Sequence, residues 1–191
     1  SRFTQPNNSL LFQSYPDYSD NPYALYLYLL KRKEFKTYKM VWIVKDNEER
    51  IIKEMKKDNP NVIISHSSLK NWYYVLHSRF IFSSHASYQY LKFHQKTKMI
   101  NLWHGMPLKK IGFDSTHNGK EEEGPDTTTI ASNEFFQRCL SSAFRISPDK
   151  IKIVGLPRND MLFEKSNILD SIVGKHSYNS IGIWMPTFRQ T

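Results

Sequence analysis

The chain reads as an α/β protein built on a doubly wound parallel sheet. Three observations predict this. Short runs of near-continuous apolar residues recur along the chain, as in Met40-Val41-Trp42-Ile43-Val44 and Ile151-Lys152-Ile153-Val154. Helical patterns separate them, and this alternation covers both faces of a parallel sheet. Sites in such folds lie beyond the carboxyl ends of the strands.

The elements follow in order. Residues 1–9 read as a leader, and Leu10 to Tyr15 as the first strand. After a turn at Pro16 to Ser19, a helix starts with Asp20 accepting from first-turn amides and Pro22 at an early position that needs no N–H. It is expected to run to about Lys33, ending in the basic cluster Lys31-Arg32-Lys33. Met40 to Val44 is the second strand, and Glu48 to Lys57 an amphipathic helix with Ile51, Ile52 and Met55 on one face. Strand Asn61–Ser65, helix Ser68–Leu76 and strand Arg79–Ser83 follow. A helix is expected over Tyr88–Phe93 and a strand over Lys98–Trp103. Past the polar loop Ser115–Pro125 come strand Thr128–Ala131, helix Glu134–Phe144 closed by Pro148, and strand Ile151–Gly155. Glu164 to Asn179 is polar and poorly periodic, a linker or crossing helix. Ile181 to Met185 reads as the first strand of a new unit.

Bulk properties narrow the function. With 191 residues, 39% hydrophobic and 14% aromatic, the chain can bury a core. Its 27 Lys+Arg against 18 Asp+Glu give a net charge of +9, which suits nucleic acid, anionic lipid or phosphorylated substrates, or serves solubility alone. Cys139 is the only cysteine, so a disulfide framework and a thiolate zinc site are excluded, which favours a reducing, cytosolic setting. The longest apolar run, Tyr23 to Leu30, is too short to span a bilayer, so membrane contact is expected to be peripheral.

Chemistry concentrates in Asn101 to Gly112, NLWHGMPLKKIG. An apolar strand ends on His104-Gly105, Pro107 blocks its continuation, and Lys109-Lys110 add two cations. A histidine just past a strand end, with a glycine for close backbone approach, suits proton transfer beside a phosphate. The second candidate is Gly155-Leu156-Pro157-Arg158-Asn159-Asp160, where Arg158 is placed to clamp a phosphate. Taken alone, Pro157 and Asp160 are ordinary helix-start punctuation. The segment Tyr15 to Pro22 places two carboxylates and two tyrosines after the first strand, and also makes a good turn and cap. Glu121-Glu122-Glu123 reads as a solvated loop. The histidines other than His104, among them His66, His85 and His117, show no metal-ligand spacing and read as surface or capping residues. Dinucleotide, P-loop and RNA-binding signatures do not occur.

Asp20-Asn21-Pro22, Trp103-His104-Gly105-Met106-Pro107-Leu108-Lys109, Gly155-Leu156-Pro157-Arg158-Asn159-Asp160 and Pro186-Thr187-Phe188-Arg189 occur in an order that resembles the CDP-glycerol glycerophosphotransferases. That family makes teichoic acids and phosphate-containing capsules. The segment Ser132-Asn133-Glu134-Phe135-Phe136 resembles the family's stretch between the histidine and Gly-Pro-Arg-Asn motifs, and the resemblance covers residues 9–189. It implies a GT-B architecture of two Rossmann-like domains: an acceptor-side domain over 9–163, a shortened linker over 164–180, and the start of a nucleotide-binding domain over 181–191. A chain with only half the cleft is expected to be inactive alone.

The resemblance further implies that His104 is the general base on an acceptor hydroxyl, whose oxygen attacks the β-phosphorus of CDP-glycerol as CMP leaves. Gly105, Lys109, Lys110, Asn133, Arg158, Asn159 and Arg189 are the implied substrate contacts. No metal or cofactor is implied. The implied partners are a CDP-activated donor of glycerol phosphate or a related polyol phosphate, a lipid-linked or polymeric polyol-phosphate acceptor, and the anionic inner face of the cell membrane, without nucleic acid. The competing reading is a basic α/β module that holds an anionic polymer or nucleic acid without chemistry.

Overall fold

Alternation within each strand decides what each face of the sheet buries. The computed structural model describes residues 5–46, 48–88, 90–116, 127–165, 172–174 and 180–184. Its strands are β1 (Asn7–Gln13), β2 (Lys39–Ile43), β3 (Ile63–Ser65), β4 (Ser78–Ser83), β5 (Lys98–Asn101), β6 (Thr127–Ala131) and β7 (Ile151–Ile153). The helices are α1 (Asp20–Leu30), α2 (Glu49–Asp58), α3 (Ser68–His77) and α4 (Glu134–Phe144). The sheet order is β3-β2-β1-β4-β5-β6-β7, with each neighbouring pair parallel. The doubly wound parallel sheet expected from the sequence is therefore the observed fold.

Leu10, Phe12, Met40, Trp42 and Phe82 bury one face with Tyr26 and Leu29 of α1 and Met55 of α2. Phe12 stacks between Trp42 and Phe82 at ring-centroid distances of 5.4 and 5.2 Å. Leu11, Val41, Ile43 and Ile81 face the other way, against Val75 of α3 and Phe93. Beyond them, Ala131 and Ile151 pack with Leu140 and Phe144 of α4. Burying a large apolar side chain stabilises by about 1.5–3 kcal/mol, and alternation splits that gain between two helical layers.

Several local expectations need correction. Residues 7–9 belong to β1 rather than to a leader, and Ser9 is buried there beside Ser78, with 3.0 Å between their hydroxyl oxygens. The first helix stops at Leu30, so the basic cluster lies past its end. Its N-cap, Ser19, makes no side-chain capping bond, and Asp20 has φ +63° with its carboxylate turned toward Arg158. The expected helix over Tyr88–Phe93 is absent among the described residues. Tyr88 adopts φ +60°, and a single turn, Leu91 N–H to the Tyr88 carbonyl at 2.9 Å, replaces it while Phe93 is buried.

α4 is closed by Arg145 in the left-handed conformation rather than by Pro148, which opens a 3-10 turn. Strand β5 ends at Asn101, not Trp103, and β7 ends at Ile153, not Gly155. Ile181 to Trp184 form no strand. Their backbone pairs with no neighbour among the described residues, and a strand exists only through pairing.

Gly112 sits where the segment after His104 returns to α4. At φ +52°, a Cβ there would lie 2.3 Å from the Ala143 carbonyl oxygen. The Gly112→Ala variant is expected to lose about 2 kcal/mol or more, read as a lowered denaturant midpoint at unchanged slope.

Near α2, the Tyr18 and Tyr23 hydroxyls both donate to Asp58 Oδ2, at 2.8 and 3.2 Å. Burial, then the neighbouring Asp58 carboxylate, pushes both tyrosines above their ordinary range, and burial lifts Tyr88 to about 12. Each fold-bound tyrosine holds its proton more tightly than the unfolded chain does. Their contribution to stability is complete below pH 10 and is lost as pH climbs from there toward 12 and above. Chemical denaturation as a function of pH is expected to show this alkaline decline, reduced in Tyr18→Phe.

Candidate active site

Parallel register aligns the strand ends from which the site is built. Gln13, Ser83, Asn101 and Thr129 are successive partners across β1, β4, β5 and β6. The chain leaves β5 sharply because Asn101 Oδ1 accepts from the Trp103 N–H at 2.8 Å and Trp103 adopts φ +50°. A bulky residue in that conformation is strained by about 1–3 kcal/mol and persists only where its surroundings hold it. The Trp103 indole is buried edge-on against Phe144, with centroids 4.7 Å apart.

That bend places His104 in the open. Its ring lies 4.1 Å from the Trp103 ring and 5.0 Å from that of His85. Nδ1 is 3.2 Å from the Ser84 carbonyl oxygen at the end of β4. A carbonyl only accepts, so Nδ1 carries the hydrogen in the neutral imidazole and Nε2 keeps its lone pair.

Asn21, fully buried in the first turn of α1, joins three segments that are distant in sequence. Its Nδ2 donates to the carbonyls of Leu102 (3.1 Å) and Trp103 (2.8 Å), and its Oδ1 accepts from the Arg158 N–H at 3.1 Å. Beside it, Asp20 Oδ1 accepts from Arg158 Nη1 at 2.7 Å, and the Asp20 side chain is only 9% exposed. The guanidinium, 41% exposed, is thereby aimed at the His104 turn. Gly105, at φ +148°, makes room for it, since a Cβ there would lie 3.1 Å from Arg158 Nη2. His104, Gly105, Pro107 and Arg158 line one open depression of about 310 Å3.

The structure thus brings His104, Gly105 and Arg158 together. Lys109 and Lys110 lie on an exposed stretch that does not line this depression. Asn133 stands at the end of β6, where its Oδ1 caps α4 by accepting from the Phe136 N–H at 3.0 Å. Asn159 opens onto a different cavity of about 420 Å3, between α1 and the 3-10 segment Pro157–Phe163. Arg189, His117 and the Glu121–Glu123 run lie outside the described residues. Among the described residues, no three His, Cys, Asp or Glu side chains form a metal-holding group.

Asp20, Asn21, Ser84 and His85 are site residues that sequence reasoning did not select. The Asp20-Asn21-Pro22 triplet was itself the signal for the first two. His85 is no bland surface residue. It is half-buried, packed beside His104, with Nδ1 2.7 Å from Ser84 Oγ.

The family model described as CDP-glycerol:poly(glycerophosphate) glycerophosphotransferase matches residues 2–191. The chain belongs to this family. It is similar to a teichoic acid glycerol-phosphate transferase of Staphylococcus aureus, with 31% identity over 88% of this chain and 46% of that protein. It is also similar to a teichoic acid poly(glycerol phosphate) polymerase of Bacillus spizizenii, with 25% identity over 94% of this chain and 50% of that protein. The solved wall teichoic acid polymerase TagF shares the fold at a TM-score of 0.61 and 22% identity, over 87% of this chain and 42% of that one. The chain spans about half the length of these two curated relatives.

Because Asn21 both donates and accepts, an aspartate cannot replace it, although the shape is the same. Asn21→Asp would set a carboxylate against two carbonyls, and Asn21→Ala would leave two buried carbonyls and the part-buried Arg158 N–H without their Asn21 partner. Each variant is expected to lose about 2–3 kcal/mol in equilibrium unfolding, with Asp at least as damaging as Ala.

Proposed function

We propose that this chain supplies the acceptor-side half of an enzyme that transfers glycerol phosphate, or a related polyol phosphate, from a CDP-activated donor to a growing acceptor. The observation that carries this is a histidine with a tautomer set by a backbone carbonyl, sharing a depression with an arginine oriented by Asp20. Family membership and the glycerol-phosphate transferase and polymerase names of the relatives support the reading. A TagF variant with one histidine replaced by asparagine was solved after soaking with CDPG, which accords with histidine chemistry on such a donor.

In this reading His104 Nε2 takes the proton from an acceptor hydroxyl as that oxygen bonds to the β-phosphorus of the donor. The bond from this phosphorus to the bridging oxygen breaks, and CMP leaves with the electron pair. Arg158 faces the phosphoryl oxygens, where a preoriented cation stabilises developing charge. The acceptor-side domain, expected over 9–163, starts at β1 and so takes in residues 7–163. The donor is held largely by a facing domain that begins near residue 181, with Arg189 as one of its substrate contacts and 164–180 as the connection. The net charge of +9 suits an anionic polymer and the anionic inner leaflet, where the protein works peripherally on the cytoplasmic side. No helix among the described residues is long and apolar enough to cross a membrane.

The test is His104→Ala in the intact transferase, with CMP release from CDP-glycerol measured in the presence of acceptor. Turnover is expected to fall by about 100-fold or more while thermal stability is unchanged, because the ring is exposed. Retention of more than about a tenth of turnover would rule out the base role.

A further inference from the structure

The strand order reverses between β1 and β4, and at such a point the loops diverge and leave a crevice at the carboxyl ends. Here the crevice is a cleft of about 320 Å3 over the ends of β1, β2 and β4. It is separate from the His104 depression, but His85 lines it and its ring lies 5.0 Å from that of His104. A molecule lying in the cleft and passing over His85 therefore arrives at His104.

Most of the polar groups around the cleft are tied up in holding its shape. Asp17 Oδ2 accepts from the N–H groups of Lys45 and Asp46 at 2.7 and 2.9 Å, which pins the turn after β2. Gln13 Oε1 accepts from the Tyr88 hydroxyl at 2.7 Å. The Ser84 hydroxyl accepts from the Tyr15 N–H at 3.2 Å and lies 2.7 Å from His85 Nδ1. Two groups are presented outward instead. The Tyr15 ring is 64% exposed and stands edge-on to His85, and the Lys45 ammonium makes no ion pair among the described residues. One lysine is too little charge for a diphosphate. One cation and one exposed aromatic face match a polyol carrying a single phosphate charge.

We propose that this cleft is a subsite for the acceptor, holding the glycerol phosphate unit behind the reacting hydroxyl, with its phosphate at Lys45 and its carbon chain on Tyr15. This rests on the reading of His104 as the base and adds to it the path by which the acceptor reaches that residue.

The test has an equilibrium and a kinetic arm, both on the intact transferase. Glycerol 3-phosphate, inorganic phosphate and glycerol are titrated separately, with resonances of Tyr15, Lys45 and His85 observed by NMR. Glycerol 3-phosphate is expected to shift all three and to bind at least about fivefold more tightly than either fragment, an advantage lost in Tyr15→Ala. Equal binding of inorganic phosphate would reduce the cleft to an anion site and overturn the proposal. In kinetics, Tyr15→Ala and Lys45→Ala are each expected to raise the acceptor KM about tenfold and leave the donor KM unchanged. Both side chains are exposed, so the fold is retained. If both variants keep the wild-type acceptor KM while His104→Ala abolishes transfer, the subsite fails and the base role stands. If His104→Ala transfers normally, the base role fails, and the NMR titration still decides whether the cleft takes glycerol phosphate.

Discussion

One buried amide holds this site together. Asn21 uses both Nδ2 hydrogens and its Oδ1 on backbone groups of the His104 turn and of Arg158, so three segments drawn from opposite ends of the chain share one fixed geometry. Burial makes the arrangement stringent. In a site closed to water, a missing donor is not replaced by solvent, and a wrong one faces a lone pair at close range. The strained Trp103 backbone is tolerable because its N–H and its carbonyl are both occupied and its indole is packed. The exposed histidine is thus supported by an interior that is polar only where every polar group is matched.

From that anchor the chemistry is divided among strand ends. β4 contributes the Ser84 carbonyl that sets the His104 tautomer, β5 the bend that presents the ring, and the segment after β7 the guanidinium. A parallel sheet makes this possible because all its carboxyl ends face the same way, so short polar turns after successive strands meet along one edge. The depression is open, and the exposed guanidinium is oriented by an acidic partner rather than neutralised in the interior. Lys109 and Lys110 are close to His104 in sequence yet do not line that depression. Arg158 lies more than fifty residues away and does.

Much of the fold was legible because apolar runs and helical periodicity act locally. The boundaries of α4 were read correctly to the residue, its Asn133 cap and amphipathic face both being local signals. The failures share a physical cause. The stretch over Tyr88–Phe93 looks helical by composition, but Tyr88 turns left-handed and Phe93 is spent on the core between β4 and α3. β5 stops two residues early because the side chain of its last residue, Asn101, captures the Trp103 backbone N–H. Asp20 looks like a helix cap by position and is an arginine partner by packing. His85 carried no motif and acquired its place only when β4 and β5 became neighbours.

The sequence by itself determined the layered parallel sheet, the edge on which a site must lie, and the choice of His104, Gly105 and Arg158 as candidates, which line one depression in the structure, since residue type and periodicity are written locally. Only the tertiary structure decided that Asn21 is the hub, that Asp20 orients Arg158, that Asn159 opens onto another cavity, and that His85 stands beside His104. Those outcomes depend on which strand ends become neighbours and which polar groups find partners across 20 to 138 residues of chain. No local pattern encodes such pairings, because their energy exists only once water has been excluded between the segments that make them.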